Sequence, residues 1–305
     1  MYDIIVVGGG PAGLTAALYS VRAGKSVLVL EKANYGGQMA LSPRIENYLG
    51  FSEISGYDLS EMIFKQVEAA GAELLYEEAL SISEKDNIKT VKTDGGEYQS
   101  KAVIIATGMR HKTLGVKNEN EYSGNGISYC AACDGAFYKD KCVAVVGGGN
   151  SAVQEALYLC DICKSVTVLQ NLPSLTAENK LCEQLKKREN VRFLFNTVTT
   201  EFTGDGENLT GIIAENTDTK ITSELTFDGV FVAIGLEADN DIFKGLITLD
   251  NENFILSDDE MKTDKGGIFT AGDCRHKKIR QITTAMADGT TAAFSACKYV
   301  DKLNK

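Results

Sequence analysis

Apolar residues in this chain fall in short unbroken runs. Asp3 is followed by Ile4-Ile5-Val6-Val7, then Gly8-Gly9-Gly10-Pro11-Ala12-Gly13, then a small-residue apolar stretch from Leu14 to Ala23, then Ser26-Val27-Leu28-Val29-Leu30-Glu31. A strand buried on both faces is continuously apolar, and glycines let the backbone reverse tightly, so the pattern predicts strand, turn, helix and a second strand ending on an acid. The order recurs at Cys142-Val143-Ala144-Val145-Val146, the turn Gly147 to Ala152, a helix through Leu159, and the strand Ser165 to Leu169. Glu31 and Gln170 each lie 23 positions after the first glycine of their turn.

Around these units the halves repeat one plan. A helix and strand (Glu61 to Ala70, then Leu74-Leu75-Tyr76) precede a β-meander from Ile82 to Glu97, with its turn at Asp94-Gly95-Gly96. In the second half the helix Asn179 to Lys187 and the strand Val191 to Phe195 precede a meander from Val198 to Glu224. Each half then returns to a strand closing on glycine, at Gly108 and at Gly235. A last strand, Gly267 to Thr270, runs into Ala271-Gly272-Asp273 and a long helix from Gln281 to Leu303. The class is α/β, with two Rossmann-like three-layer ββα dinucleotide-binding domains.

A helix beginning after a glycine turn points unpaired N–H groups at a pyrophosphate, and an acid at the end of the next strand accepts ribose hydroxyls. The first turn and Glu31 have this form. The second turn ends on Gln170 and admits two readings, a nucleotide site or the tight turn that the fold itself needs.

At 305 residues, 44% apolar and 24% charged, disorder and fibrous structure are excluded. A net charge of −11 opposes general binding to nucleic acid or an anionic membrane. Ile4 to Val21 is uncharged for eighteen residues, but its glycines and Pro11 fit neither a membrane span nor a signal peptide, and a cytoplasmic protein is expected. Eight cysteines are too dilute for a disulfide scaffold, and two histidines give a His-rich metal centre nothing to use; no metal is expected. Cys130-x-x-Cys133 places two sulfurs within disulfide reach across a turn. Cys160-x-x-Cys163 ends a predicted helix, where packing is the better account than zinc.

The chain resembles the low-molecular-weight thioredoxin reductases, two-dinucleotide-binding flavoproteins. The motifs carrying the resemblance are Gly8 to Gly13 with Glu31, Gly36-Gly37-Gln38, Glu46-Asn47-Tyr48, Ala106-Thr107-Gly108, Cys130-Ala131-Ala132-Cys133-Asp134-Gly135, Gly147 to Ala152, Ala271-Gly272-Asp273 and Arg280-Gln281. The resemblance implies a homodimer and a discontinuous FAD domain, residues 1–112 plus 243–305, with a redox domain, 113–242, inserted in it. It implies FAD contacts from Gly8, Gly10, Pro11, Ala12, Gly13, Glu31, Lys32, Gly37, Gln38, Asn47, Ala106, Thr107, Gly108, Gly272, Asp273, Arg280, Gln281 and Ile282. Cys133 would face the flavin, Cys130 would attack thioredoxin, and Asp134 would serve as acid and base.

NADPH-dependent members of the family carry His-Arg-Arg and a further arginine after the second unit's strand. Here those places hold Gln170-Asn171-Leu172 and Thr176, with no cation for a 2′-phosphate. The chain is therefore similar to the ferredoxin-dependent flavin thioredoxin reductases, and reduced ferredoxin is the expected electron donor. The basic run Arg275-His276-Lys277-Lys278 is the expected docking patch for that acidic partner, against the alternative of a solvated basic loop. Three other readings stand beside this one: an NAD(P)H-dependent thioredoxin reductase with a non-standard adenosine site, a ferredoxin–NADP reductase-like diaphorase, and a non-enzymatic zinc or redox-sensing module.

Overall fold

The computed structural model describes residues 1–42 and 45–304. The chain divides into two compact units, Met1–Arg110 with Glu237–Lys305, and His111–Leu236. In chain order the first unit opens with β1 (Tyr2–Val7), α1 (Pro11–Arg22), β2 (Val27–Leu30), α2 (Gly56–Ala69), β3 (Glu73–Leu75), β4 (Ala79–Lys85), β5 (Ile88–Thr93) and β6 (Glu97–Ile105). After β7 (Met109–His111) the second unit contains α3 (Glu119–Tyr122), β8 (Ile127–Ser128), α4 (Ala131–Asp134), β9 (Cys142–Val146), α5 (Asn150–Cys160), β10 (Ser165–Leu169), α6 (Asn179–Lys186) and β11 (Val191–Leu194). It continues through β12 (Thr197–Gly204), β13 (Leu209–Asn216), β14 (Thr222–Thr226) and β15 (Gly229–Val232), before β16 (Leu236–Ala238) leads back to the first unit's β17 (Ile268–Thr270) and α7 (Ile282–Leu303).

The first unit's sheet runs β3-β2-β1-β6-β5-β4, with β17 also pairing β6. The strands β1, β2, β3, β6 and β17 are parallel, whereas β4 and β5 form an antiparallel meander on β6. The second unit's sheet runs β11-β10-β9-β15-β8, and β12-β13-β14 form a separate antiparallel sheet.

Side-chain alternation along the buried strands sets the layers. Ile4 and Val6 of β1 pack under α1 and α7, whereas Ile5 and Val7 face the side closed by Ile82 and Val91 of the meander. The second unit repeats the division: Val143 and Val145 pack under α5, and Ala144 and Val146 face Phe202 and Ile212 of its meander sheet.

The chain returns to the first unit at Glu237 instead of 243. Buried hydrogen bonds account for the earlier return: Asn240, fully buried, donates to the Asn253 and Cys274 carbonyls at 2.8 Å each, and Arg110 and Lys32 add exposed pairs to Glu237 and Asp239, all within the first unit. The helix expected from Glu61 begins at Gly56, because the Ser55 hydroxyl caps it by accepting the Asp58 N–H at 3.0 Å. Among the described residues no helix is long and apolar enough to cross a membrane.

Candidate active site: a redox disulfide and two glycine turns

Cys130 and Cys133 are joined as a disulfide with their Cα atoms 5.3 Å apart. Cys130 is extended at the head of the single-turn α4, and its sulfur accepts the Cys133 N–H at 3.1 Å. Asp134 ends that turn. Its carboxylate accepts the Ser128 hydroxyl at 2.6 Å, and the same hydroxyl oxygen accepts the Cys130 N–H at 3.1 Å. Ser128 thus ties the acid to the backbone of the first cysteine, a link that sequence reasoning missed although Ser128 stands two places before Cys130.

Tyr129, between them, donates to buried Glu119 at 3.0 Å, and Glu119 also takes the N–H groups of Leu114 and Gly115 at 2.9 and 2.6 Å. Burial, aided by Glu119, pushes the Tyr129 hydroxyl up to about 12. This network fixes the strand leading into the disulfide.

The first turn is shaped by contacts that forbid a side chain. A Cβ on Gly8, whose φ is +106°, would lie 2.3 Å from the Ala106 carbonyl oxygen, and one on Gly13 would lie 1.9 Å from that of Gly8. Gly10 is different. It precedes Pro11, the first residue of α1, with an ordinary φ of −74°, and a Cβ there would meet nothing within 4 Å. Neither backbone strain nor packing requires glycine at that position, whereas a bound group lying across the helix head does. Glu31 accepts the N–H groups of Gly9 and Ala33 at 2.7 and 2.9 Å, which fixes its carboxylate at the end of β2.

Two expected glycines lie against this turn. A Cβ on Gly37 would come within 3.3 Å of Gly10 Cα, and one on Gly272, at φ +83°, within 2.8 Å of Ala12. Asn47 donates to Gln281 at 3.2 Å, Gln281 caps α7 with Ile282 next, and Gln38 reaches the Met109 carbonyl at 3.4 Å. Thr107, between Ala106 and Gly108, bonds Asn240 at 3.2 Å.

Asp273 Oδ1 and Arg280 Nε are buried without a hydrogen-bond partner. Lys277 Nζ stands 3.6 Å from Asp273, close enough for attraction and too far for a hydrogen bond. Burial is the leading cause that raises the Asp273 carboxyl above its ordinary range. Two unsatisfied polar groups near the head of α7 are the sites that ribityl hydroxyls and phosphate of FAD would satisfy, so the residues present fit that cofactor.

The Lys32 ammonium is held by Glu78 and Asp239 at 3.3 and 3.2 Å. One expectation fails here. Arg275 and Lys277, expected in a docking patch, are turned inward onto Asp288 of α7 at 3.1 and 2.9 Å. Asp288 also accepts the Gly272 N–H at 3.2 Å and so holds the whole turn. The sequence signal for Asp288 is an acid on the apolar stripe Ala285, Gly289, Ala292 and Ala296 of α7. Of the basic run only His276 and Lys278 are exposed, and His276 pairs with Asp250 at 2.6 Å.

The second turn repeats the first. A Cβ on Gly147 would lie 2.3 Å from the Ala233 carbonyl oxygen, while one on Gly149, at φ −82°, would meet only the Thr176 hydroxyl, 3.9 Å away. Gly149, like Gly10, is left unexplained by the protein's own packing. The remaining cysteines are free thiols, of which Cys160 and Cys163 are buried in this unit's core with burial raising both to about 11. Among the described residues no three His, Cys, Asp or Glu side chains gather as metal ligands.

Residues 2–289 match the pyridine nucleotide-disulphide oxidoreductase family. The chain is 42% identical over 305 residues to the thioredoxin reductase of Listeria monocytogenes, covering 100% of this chain and 96% of that one. The crystal structure of Lactococcus lactis thioredoxin reductase matches with a TM-score of 0.93 at 38% identity, covering 99% of this chain and 100% of that one. The ferredoxin-flavin thioredoxin reductase of Clostridium acetobutylicum matches less well, with a TM-score of 0.56 at 27% identity over 99% and 98% of the two chains. The expected kinship with the ferredoxin-dependent branch is thereby corrected: the greater likeness is to proteins named thioredoxin reductase without that qualifier. On these matches the chain belongs to the thioredoxin reductases of the pyridine nucleotide-disulphide oxidoreductase family.

Proposed function

We propose that the protein reduces the disulfide of thioredoxin through Cys130 and Cys133, with FAD held by the first unit and electrons supplied by a reduced nicotinamide dinucleotide at the second glycine turn. The cofactor is FAD. When bound it passes electrons from the donor, two at a time, to the Cys130–Cys133 disulfide. Glu31 would hold its adenosine ribose, the α1 head its pyrophosphate, and Asp273 and Arg280 the polar groups beyond.

Two electrons and two protons open the Cys130–Cys133 bond to two thiols. The Cys130 thiolate then attacks one sulfur of the thioredoxin disulfide, breaking that S–S bond, forming a mixed disulfide and leaving one thioredoxin thiolate. Cys133 attacks the Cys130 sulfur, releases the second thioredoxin thiolate and restores the starting disulfide. Asp134, held by Ser128, takes a proton from each attacking cysteine thiol in turn and passes it to the departing thioredoxin thiolate, so the two protons taken up with the electrons leave on thioredoxin. The reading also carries a homodimeric, cytoplasmic enzyme, tested by light scattering and by fractionation.

The observation that carries the donor is Gly149, whose glycine identity packing does not require and a dinucleotide does. One observation favours reduced ferredoxin as a second reading, the lack of any cation from Gln170 to Ala177. Against it, the basic run meant to receive that partner is largely consumed by Asp288. The test is anaerobic turnover of thioredoxin by the purified flavoprotein. Thioredoxin reduction with a nicotinamide donor, abolished in Cys130→Ser while flavin bleaching persists, is the expected result; turnover with reduced ferredoxin alone would overturn the nicotinamide assignment.

A further inference from the structure

The two glycine turns are built alike as far as the end of the second strand and diverge there. Past β2 stands a carboxylate, Glu31, held by two backbone N–H groups at 2.7 and 2.9 Å. Past β10 stands the amide of Gln170, which is 4% exposed and lies so close to the turn that a Cβ on Gly148 would fall 2.3 Å from its Nε2. That Nε2 donates to the Ser174 carbonyl at 3.3 Å, leaving Oε1 as the acceptor. The N–H groups of Thr176 and Ala177 and the Thr176 hydroxyl all converge on the Gly148 carbonyl, at 2.8, 3.1 and 3.3 Å. The loop Gln170-Asn171-Leu172-Pro173-Ser174-Leu175-Thr176-Ala177 is therefore tied down over the turn, and it carries no charge.

The next residue brings a charge of the wrong sign for a phosphate. Glu178 exchanges two hydrogen bonds with Asn150, the first residue of α5: its N–H donates to Asn150 Oδ1 at 2.8 Å, and its carboxylate accepts from Asn150 Nδ2 at 3.2 Å. The loop itself offers a 2′-phosphate no cation, and the first charged residue after it is a carboxylate tied to the head of α5, whereas a 2′-hydroxyl needs one acceptor and little room.

We propose that the second turn selects the dinucleotide with a free adenosine 2′-hydroxyl, NADH, over its 2′-phosphorylated form, with Gln170 accepting the ribose hydroxyl and Glu178 repelling the phosphate. This rests on the reading of the turn as the donor site. The experiment is anaerobic titration of the FAD-loaded protein with NADH, NADPH and reduced ferredoxin in separate arms, alongside calorimetric binding of NAD⁺ and NADP⁺. Half-bleaching by NADH is expected at a concentration at least about tenfold below that for NADPH, with binding of the oxidised forms in the same order. Glu178→Lys, at an exposed position, is expected to improve NADPH relative to NADH by roughly tenfold, and raised salt should erode that gain. NADPH acting as well as or better than NADH, or a ratio unmoved by Glu178→Lys, overturns the selection while leaving a nicotinamide donor in place. Bleaching by ferredoxin with neither nucleotide bound overturns the donor reading itself, and the selection with it.

Discussion

Replacing Asp288 with asparagine should both destabilise the first unit and release its cofactor. Asp288 lies on α7 with its side chain 11% exposed, facing Arg275 and Lys277 at 16% and 9%. It accepts from Arg275 at 3.1 Å, from Lys277 at 2.9 Å and from the Gly272 N–H at 3.2 Å. Three charge-assisted bonds of about 1.5–3 kcal/mol each would sum to more than the true cost, because they share one acceptor group and the amide oxygen of asparagine keeps part of the interaction. Breaking a buried pair by removing one partner costs about 3–5 kcal/mol, mostly the penalty of leaving cations uncompensated, and that is the figure expected here. At about 2–4 °C per kcal/mol for a body of this size, melting should fall by roughly 6–20 °C. The turn that relaxes carries Asp273, so flavin should dissociate ahead of unfolding. Far-UV circular dichroism read together with flavin fluorescence checks both, with Lys65→Ala, which removes an exposed pair to Glu61, as a control expected to leave melting and flavin content unchanged. A variant melting within about 1 kcal/mol of the parent, flavin still bound, would refute the reasoning.

Gly10→Ala should cost the cofactor-stripped protein no more than a changed helix N-cap, about 1 kcal/mol, since its Cβ meets no protein atom within 4 Å, yet lower FAD content by at least about tenfold; equal flavin content after reconstitution would count against the turn as a cofactor cradle. Ser128→Ala removes the 2.6 Å bond to Asp134 and should slow thioredoxin turnover by about tenfold, with a changed pH–rate profile, whereas superimposable profiles would deny Ser128 a positioning role. Burial raises the Glu155 carboxyl from 4.5 to about 8, and its Oε2 has no hydrogen-bond partner. Between those values the unfolded chain is ionised there while the folded chain keeps its proton, so this group erodes stability as pH rises through that window. Glu155→Gln should match the parent near pH 4 and exceed it by roughly 3–5 kcal/mol above pH 8, as measured by urea unfolding across pH; parallel stability profiles would rule this out.

The parts of the molecule written in contiguous residues were legible. Four-residue apolar strands, glycine turns followed by small-residue helices, and Cys130-x-x-Cys133-Asp134 all carry their signal locally, and β1, α1, β2 and their counterparts lie where the pattern put them. Charged side chains were not legible in the same way, because an ion pair is decided by what folding brings opposite. Lys32 meets Glu78 and Asp239, far away in sequence, and Arg275 and Lys277 meet an acid on a helix that begins only after them. A run of cations looks like a surface patch until its counter-ion is seen. Ser128 was invisible for a different reason: a serine before a cysteine is unremarkable until the α4 turn folds Asp134 back to within 2.6 Å of it.

The first unit begins with β1 and α1, but its sheet is not complete without β17, and a Cβ on Gly289 of α7 would lie 2.2 Å from the Ala12 carbonyl oxygen, so closely does that last helix lie on α1. His111–Leu236, by contrast, is one uninterrupted stretch. On the ribosome the inserted unit has all its residues in hand before the surrounding one does, and the N-terminal β-α-β segment must wait, apolar face uncovered, for the segment from Glu237 onward to emerge. Premature truncation near the C-terminus would thus strike hardest at the segment synthesised first.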